Sequence, residues 1–137
     1  MKIFIDDERM PLRDEIGEWI IVREPKTAID LIRANAPFVT HLSFDNDLGF
    51  ELEGDDVMKA LFGTPMTAPV RLPVLQEIRV HSANIVKNKA MIDRAVSARD
   101  AGVIGADVHI EARSALYERY QLLEHFIDMR PELFEDA

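Results

Sequence analysis

Three apolar runs in this chain each stop abruptly at a polar cluster, and that repeated punctuation limits the folds open to it. Lys2-Ile3-Phe4-Ile5 meets Asp6-Asp7, and Val39 to Phe44 meets Asp45-Asn46-Asp47-Leu48-Gly49. Ile78-Arg79-Val80-His81 runs into Ser82-Ala83-Asn84. Short apolar runs bounded by turn-forming residues read as buried strands. Trp19-Ile20-Ile21-Val22, β-branched and aromatic, is a further strand, stopped by Pro25.

Helical segments separate these strands. Lys26 to Ala36 places Ala28, Ile29, Leu31 and Ile32 at helical spacing, with Thr27 as the expected cap, Asp30 three residues on, and Pro37 as the stop. Asp55 to Phe62 predicts a short helix closed by Gly63, and three prolines make residues 64–76 irregular. Lys87 to Ala101 predicts a helix with Ala90, Met91, Ala95 and Ala98 inward, ended by Gly102. Val103-Ile104 and Val108-His109-Ile110, around Gly105, form a weak candidate for a fifth strand. A last helix is expected from Glu111 to Met129, with Ala115, Leu116, Leu122, Leu123, Phe126 and Ile127 as its apolar stripe. Strands alternating with helices favour an α/β domain: a parallel sheet with helices on both faces, spanning residues 1–137 without a linker or repeat. Only eleven residues separate Asp7 from Trp19, near the minimum for a parallel crossover, so the first helix is expected to be shortened or missing.

Ligands of open parallel sheets collect beyond the C-terminal ends of the strands, near the switch in strand order. Asp6, Asp7 and Asp45 should therefore converge. Crowded carboxylates repel, and one pKa must rise unless a cation intervenes. Mg²⁺, which takes one or two carboxylates, waters and a phosphate oxygen, fits that need and suits phosphoryl chemistry. Ser82 offers a hydroxyl and Asn84 an amide to other phosphate oxygens. Taken singly, Asp6-Asp7 and Asp47-Leu48-Gly49 read more readily as turns, because Asp favours turns and caps. Their joint placement at strand ends is what favours a site.

The remaining chemistry is sparse. His81, with an ordinary pKa near 6.5, suits general acid or base work on a phosphoester, or else a strand-end hydrogen bond. His41, His109 and His125 stand apart from the cluster. No HExxH spacing indicates zinc, and no Gly-rich nucleotide loop occurs. Lys87 and Lys89 follow Asn84 closely enough to reach a phosphate, although a solvated helix face is the plainer reading. A net charge of −9 opposes binding to duplex DNA. Apolar runs fall far short of the roughly 20 residues that span a bilayer. The absence of cysteine, and an N-terminus that meets acid too soon for a signal peptide, lead to the expectation of a cytoplasmic protein.

The segments Asp6-Asp7-Glu8-Arg9-Met10-Pro11, Asp45-Asn46-Asp47-Leu48-Gly49 and Ile78-Arg79-Val80-His81-Ser82-Ala83-Asn84 resemble the receiver domain of response regulators. More closely, they resemble its divergent branch, the cyclic-phosphate processing receiver domain, over about residues 1–100. That resemblance implies a flavodoxin-like sheet with Asp6 and Asp7 holding Mg²⁺. It implies Asp45 at the phosphoacceptor position, Asp47 contributing to the metal, and Ser82 reading a phosphoryl group. His81 and Asn84 match the branch's own pattern. Ordinary receivers carry a Lys at the end of the fifth strand, and this chain has none after Lys89.

Three readings follow. The first is a Mg²⁺-dependent phosphate site, in the manner of a phosphoesterase, acting on or binding a cyclic phosphate of a small molecule or RNA end. Asp6, Asp7, Asp45 and Asp47 would hold the metal, Asp45, His81 and Ser82 would do chemistry, and Ser82 and Asn84 would bind phosphate. The second is a non-catalytic regulator, of bacterial or phage type, docking on a protein partner. The third is a degenerate phosphoacceptor receiver.

Overall fold

A computed structural model describes residues 1–11, 15–49, 51–82 and 84–113. Five parallel strands form one sheet: β1 (Lys2–Ile5), β2 (Trp19–Val22), β3 (His41–Phe44), β4 (Glu77–Val80) and β5 (His109–Ala112), in the order β2-β1-β3-β4-β5. This is the flavodoxin-like order, with its switch point between β1 and β3. The α-helices are α1 (Pro25–Ala34), α2 (Gly54–Phe62) and α3 (Ile85–Asp100). Among the described residues, the β1–β2 crossover holds only a 3₁₀ turn, Ile16–Glu18, so the first helix is reduced as its short span required. No helix among the described residues is long and apolar enough to cross a membrane.

Strand alternation divides the sheet into two chemically different faces. Ile3, Ile5, Leu42, Phe44, Ile78 and Val80 point to one, and meet Ala28 and Ile32 of α1, Val57, Met58 and Leu61 of α2, and Met91 and Ala95 of α3. Nearly all are fully buried, each contributing about 1.5–3 kcal/mol for a large apolar side chain. The opposite face carries Phe4, Trp19, Ser43, Arg79 and His81, all buried. Among the described residues, all three α-helices pack on the apolar face. The expected final helix and its stripe lie outside the described residues from Ser114 onward.

The register sets the site. Ile5 pairs with both Val22 and Phe44, and Phe44 with Val80. The ladder then continues one residue past each strand: Asp6 N–H donates to the Val22 carbonyl, Asp45 N–H to that of Ile5, and His81 N–H to that of Phe44. Asp6, Asp45 and His81 therefore stand on one rung at the C-terminal edge of the sheet.

Several boundaries differ from the sequence reading. Helix α1 starts at Pro25, whose fixed φ suits the first helical position, and Glu24 is its N-cap residue; Thr27 does not cap it and bonds the Glu24 carboxylate instead. Pro37 lies in a 3₁₀ turn, Ala36–Phe38, and β3 starts at His41 rather than Val39. Glu53 and Asp56 form a reciprocal capping box at the start of α2. Helix α3 begins at Ile85 because Asn84 caps it, and Ala90 proves exposed while Asn88 turns inward. Val103-Ile104 is not a strand, and Glu111 belongs to β5 rather than to a helix.

Candidate functional site

Asp6 is the best-anchored carboxylate of the cluster. It is completely buried, and its Oδ1 accepts the backbone N–H groups of Glu8 and Arg9, each at 2.8 Å. Its Oδ2 lies 2.9 Å from His81 Nε2. Burial drives the Asp6 pKa up, but the His81 contact and the two amides outweigh it and hold the group below its ordinary range. The His81 ring is also fully buried, stacked on Phe4 at 4.4 Å between centroids, with Nδ1 2.7 Å from Ser43 Oγ. Burial lowers the His81 pKa despite the carboxylate beside it, so the ring is neutral at physiological pH. A carboxylate only accepts, which assigns the proton to Nε2 and makes Ser43 the donor to Nδ1.

Asp7 and Asp45 complete the cluster: Asp6, Asp7 and Asp45 each offer an oxygen, all within 4.8 Å of one another. Asp45 is 6% exposed, and its pKa is pushed up to about 7, first by burial and then by the charges of Asp6 and Asp7, with Arg9 acting in the opposite sense. Asp7 is raised too, first by burial and then by Asp6 and Glu8. Without a cation, Asp45 holds its proton up to about pH 7. That is the electrostatic condition a hard divalent cation relieves, and an all-oxygen donor set matches its preference. The three carboxylates thus fit a divalent metal.

The cluster opens into a cavity of about 360 Å³ bounded by the loops after β1, β3 and β4. Two glycines shape its wall. Gly49 adopts φ +70°, closing the turn in which Asp47 Oδ1 accepts the Gly49 N–H at 3.3 Å. Gly54 lies so close to the Asp45 carbonyl that a Cβ there would collide with it, and its N–H donates to the Asn46 carbonyl at 2.8 Å. Helix α2 is thereby pressed against the strand end carrying Asp45.

Most of the expected residues meet here. Asp7, Asp45, Asp47, Ser82 and Asn84 line the cavity, with Asp6 immediately behind. Ser82 Oγ accepts the Asn84 N–H at 3.1 Å, which leaves its hydroxyl proton to donate. Asn84 Oδ1 caps α3 by accepting the Lys87 N–H at 3.1 Å, so its amide NH₂ remains available. The Ser82 carbonyl is held by Asn88 Nδ2 at 2.6 Å. Asp47 is exposed on the wall and stands outside the three-carboxylate group. His81, expected either as a proton carrier or as a strand-end hydrogen-bonding residue, lies behind Asp6, bonded to it, and does not line the cavity.

Sequence reasoning passed over Arg9, Glu53 and Ser43. Arg9 sits two residues beyond the acid pair, and its guanidinium Nη1 donates to the His81 carbonyl at 3.1 Å. Arg113, just past the end of β5, gives its guanidinium to Glu111 and lies 3.9 Å from Glu15, so it does not replace the missing receiver lysine in the cavity. His109 and Glu111 join Glu77 in a second group of possible ligands, but Arg79 and Arg113 already pair with its carboxylates.

Comparison with known proteins gave one result. A family model described as the cyclic-phosphate processing receiver domain matches residues 1–96. Neither curated proteins nor solved structures gave a match.

Proposed function

The chain belongs to the cyclic-phosphate processing receiver domain family, and from that premise we propose that it is a Mg²⁺-dependent phosphate site that binds and hydrolyses a cyclic phosphodiester. The observation that carries the reading is Asp45: a carboxylate at the floor of an open cavity, kept near pKa 7 by burial and by Asp6 and Asp7 until a cation arrives. Asp6, Asp7 and Asp45 would hold the ion, with Asp47 reaching it through water. Once bound, the ion would neutralise charge on the phosphoryl oxygens and lower the pKa of a water. Ser82 donates its hydroxyl and Asn84 its amide to phosphate oxygens. His81 fixes the orientation of Asp6, as outer-shell histidine–carboxylate contacts do at metal sites.

Charge supports a diester as substrate. Five carboxylates and two cationic side chains line the cavity, so each negative charge on an incoming ligand meets repulsion that one divalent ion only partly cancels. A cyclic phosphodiester carries one negative charge where a terminal phosphate carries up to two. The test is hydrolysis of nucleoside cyclic phosphates with and without Mg²⁺, in the wild type and in Asp45→Ala, with folding checked by circular dichroism. Turnover that needs Mg²⁺ and is lost in the variant is expected. A protein that binds neither Mg²⁺ nor any phosphate compound would remove the reading.

A further inference from the structure

We propose that Arg9 and Lys87 form a two-sided cationic clamp for the phosphate, supplying from the β1 loop and from α3 the charge that ordinary receivers place after their fifth strand. The proposal rests on the functional reading above and names side chains that it leaves unassigned.

Arg9 is unusually well fixed for a loop arginine. Its backbone N–H is held by Asp6 Oδ1 at 2.8 Å, and its carbonyl accepts Arg23 Nη1 at 2.6 Å. One guanidinium nitrogen is tied to the His81 carbonyl at 3.1 Å. A guanidinium carries five N–H donors in a rigid fork. Among the described residues the other donors meet no acceptor, although the side chain borders a cavity rich in carboxylates. No ion pair within 4.0 Å ties it to Asp7, Glu8 or Asp45. An arginine fixed at an acidic cavity, with donors left over after its bond to the His81 carbonyl, is placed to receive an anion as well as to ease the charge of Asp45.

Lys87 also lines the cavity, from the start of α3. It occupies the third position of α3, follows the cap residue Asn84, and its Nζ lies 3.5 Å from Glu53 Oε2 with both side chains nearly half exposed. Such a pair is weak and exchanges partners readily. The α3 N-terminus adds a favourable dipole on the same side. A phosphate resting against Ser82 and Asn84 would share the cavity with Arg9 and Lys87, while Asp6, Asp7 and Asp45 would hold the cation.

The arrangement also orders the two binding events. Before the cation enters, the carboxylates repel an anion more strongly than two side chains attract it. Phosphate should therefore bind measurably only after the metal, and the two should be positively coupled.

Calorimetric titration separates the claims: Mg²⁺ alone first, then inorganic phosphate at saturating Mg²⁺, on the full chain. In Arg9→Gln, Mg²⁺ affinity should stay level or rise a few-fold, since a repelling cation is gone, while phosphate affinity should drop about ten- to hundred-fold, the loss of a charge-assisted hydrogen bond. Lys87→Gln, an exposed change that leaves the fold alone, should weaken phosphate about three- to ten-fold, with Mg²⁺ binding unchanged. If Arg9→Gln also loses Mg²⁺, the clamp is decided by Lys87→Gln together with Arg9→Lys, which keeps the charge and should retain most phosphate binding. Wild-type phosphate affinity that persists within two-fold in both charge-removing variants overturns the clamp alone. A wild type that fails to bind Mg²⁺, or binds it without phosphate, overturns the functional reading and the clamp with it.

Discussion

Removing the charge of Asp45 should make the metal-free protein more stable, and the size of the gain follows from its environment. In an unfolded chain this carboxyl titrates near 3.8, whereas burial and the charges of Asp6 and Asp7 raise it to about 7 in the fold. Between those values the folded state keeps a proton that the unfolded state gives up. Stability therefore falls as pH rises from about 4 to about 7 and levels off above. A gap of about three units, at about 1.4 kcal/mol each, corresponds to about 4 kcal/mol by pH 8. Asp45→Asn mimics the protonated form, so it should exceed the wild type by about 2–4 kcal/mol at pH 8 in chelator and match it near pH 4. Urea denaturation read by circular dichroism would show a midpoint about 1–2 M higher, taking a slope of about 2 kcal/mol per molar. Saturating Mg²⁺ should then close the difference, because only the wild type retains the full donor set. A variant no more stable than the wild type at pH 8, or a difference that does not change with pH, refutes the reasoning.

Three further outcomes are expected. Apparent Mg²⁺ affinity, measured by calorimetry, should fall about ten-fold per unit as pH drops below about 7, since the ion must displace the Asp45 proton, and flatten above; a pH-independent affinity counts against it. His81→Phe keeps an aromatic ring against Phe4 but strips Asp6 and Ser43 of their partner, which should lower Mg²⁺ affinity about ten- to hundred-fold in the same titration. Gly54→Ala drives a methyl into the Asp45 carbonyl, so α2 must move, with thermal unfolding showing a loss of about 1–3 kcal/mol and Mg²⁺ affinity reduced.

The parts of this molecule most legible in the sequence were those set by local chemistry. The apolar runs ending at Asp6, Asp45 and Ser82 marked three strand ends, and parallel packing made their convergence a deduction. The short span to Trp19 told of the reduced first helix. What stayed hidden depended on which way side chains turned. The sequence left His81 open between a proton carrier and a strand-end hydrogen bond, and the period-two alternation puts it beneath Asp6 with Ser43 and Phe4, on the inward side of the rung. Arg9 lies in plain view beside the acid pair, yet nothing in its spacing says that its backbone would be pinned and its fork left open. Asn84 serves both as helix cap and as cavity wall, so the start of α3 falls two residues earlier than hydrophobic spacing alone suggested.

Asp6 and Asp45 are the same chemical group at the ends of adjacent strands, and their contrast explains where a cation's binding energy would arise. Asp6 has two amides and an imidazole N–H to stabilise its charge, whereas Asp45 meets chiefly burial and two other acids. Carboxylates all saturated by donors would leave a cation little to relieve; one left uncompensated keeps about 4 kcal/mol of strain for it, worth up to about three orders of magnitude in affinity. Asp6→Asn tests this directly, since it removes the leading charge that raises Asp45. In that background the stability difference produced by Asp45→Asn at pH 8 should shrink by about 1 kcal/mol or more, and the pH at which it appears should move below about 7. A double-mutant cycle by urea denaturation measures both. Should Asp45→Asn stabilise the Asp6→Asn protein as much as the wild type, burial alone holds Asp45 up, and the carboxylates are not coupled in the way a shared ion requires.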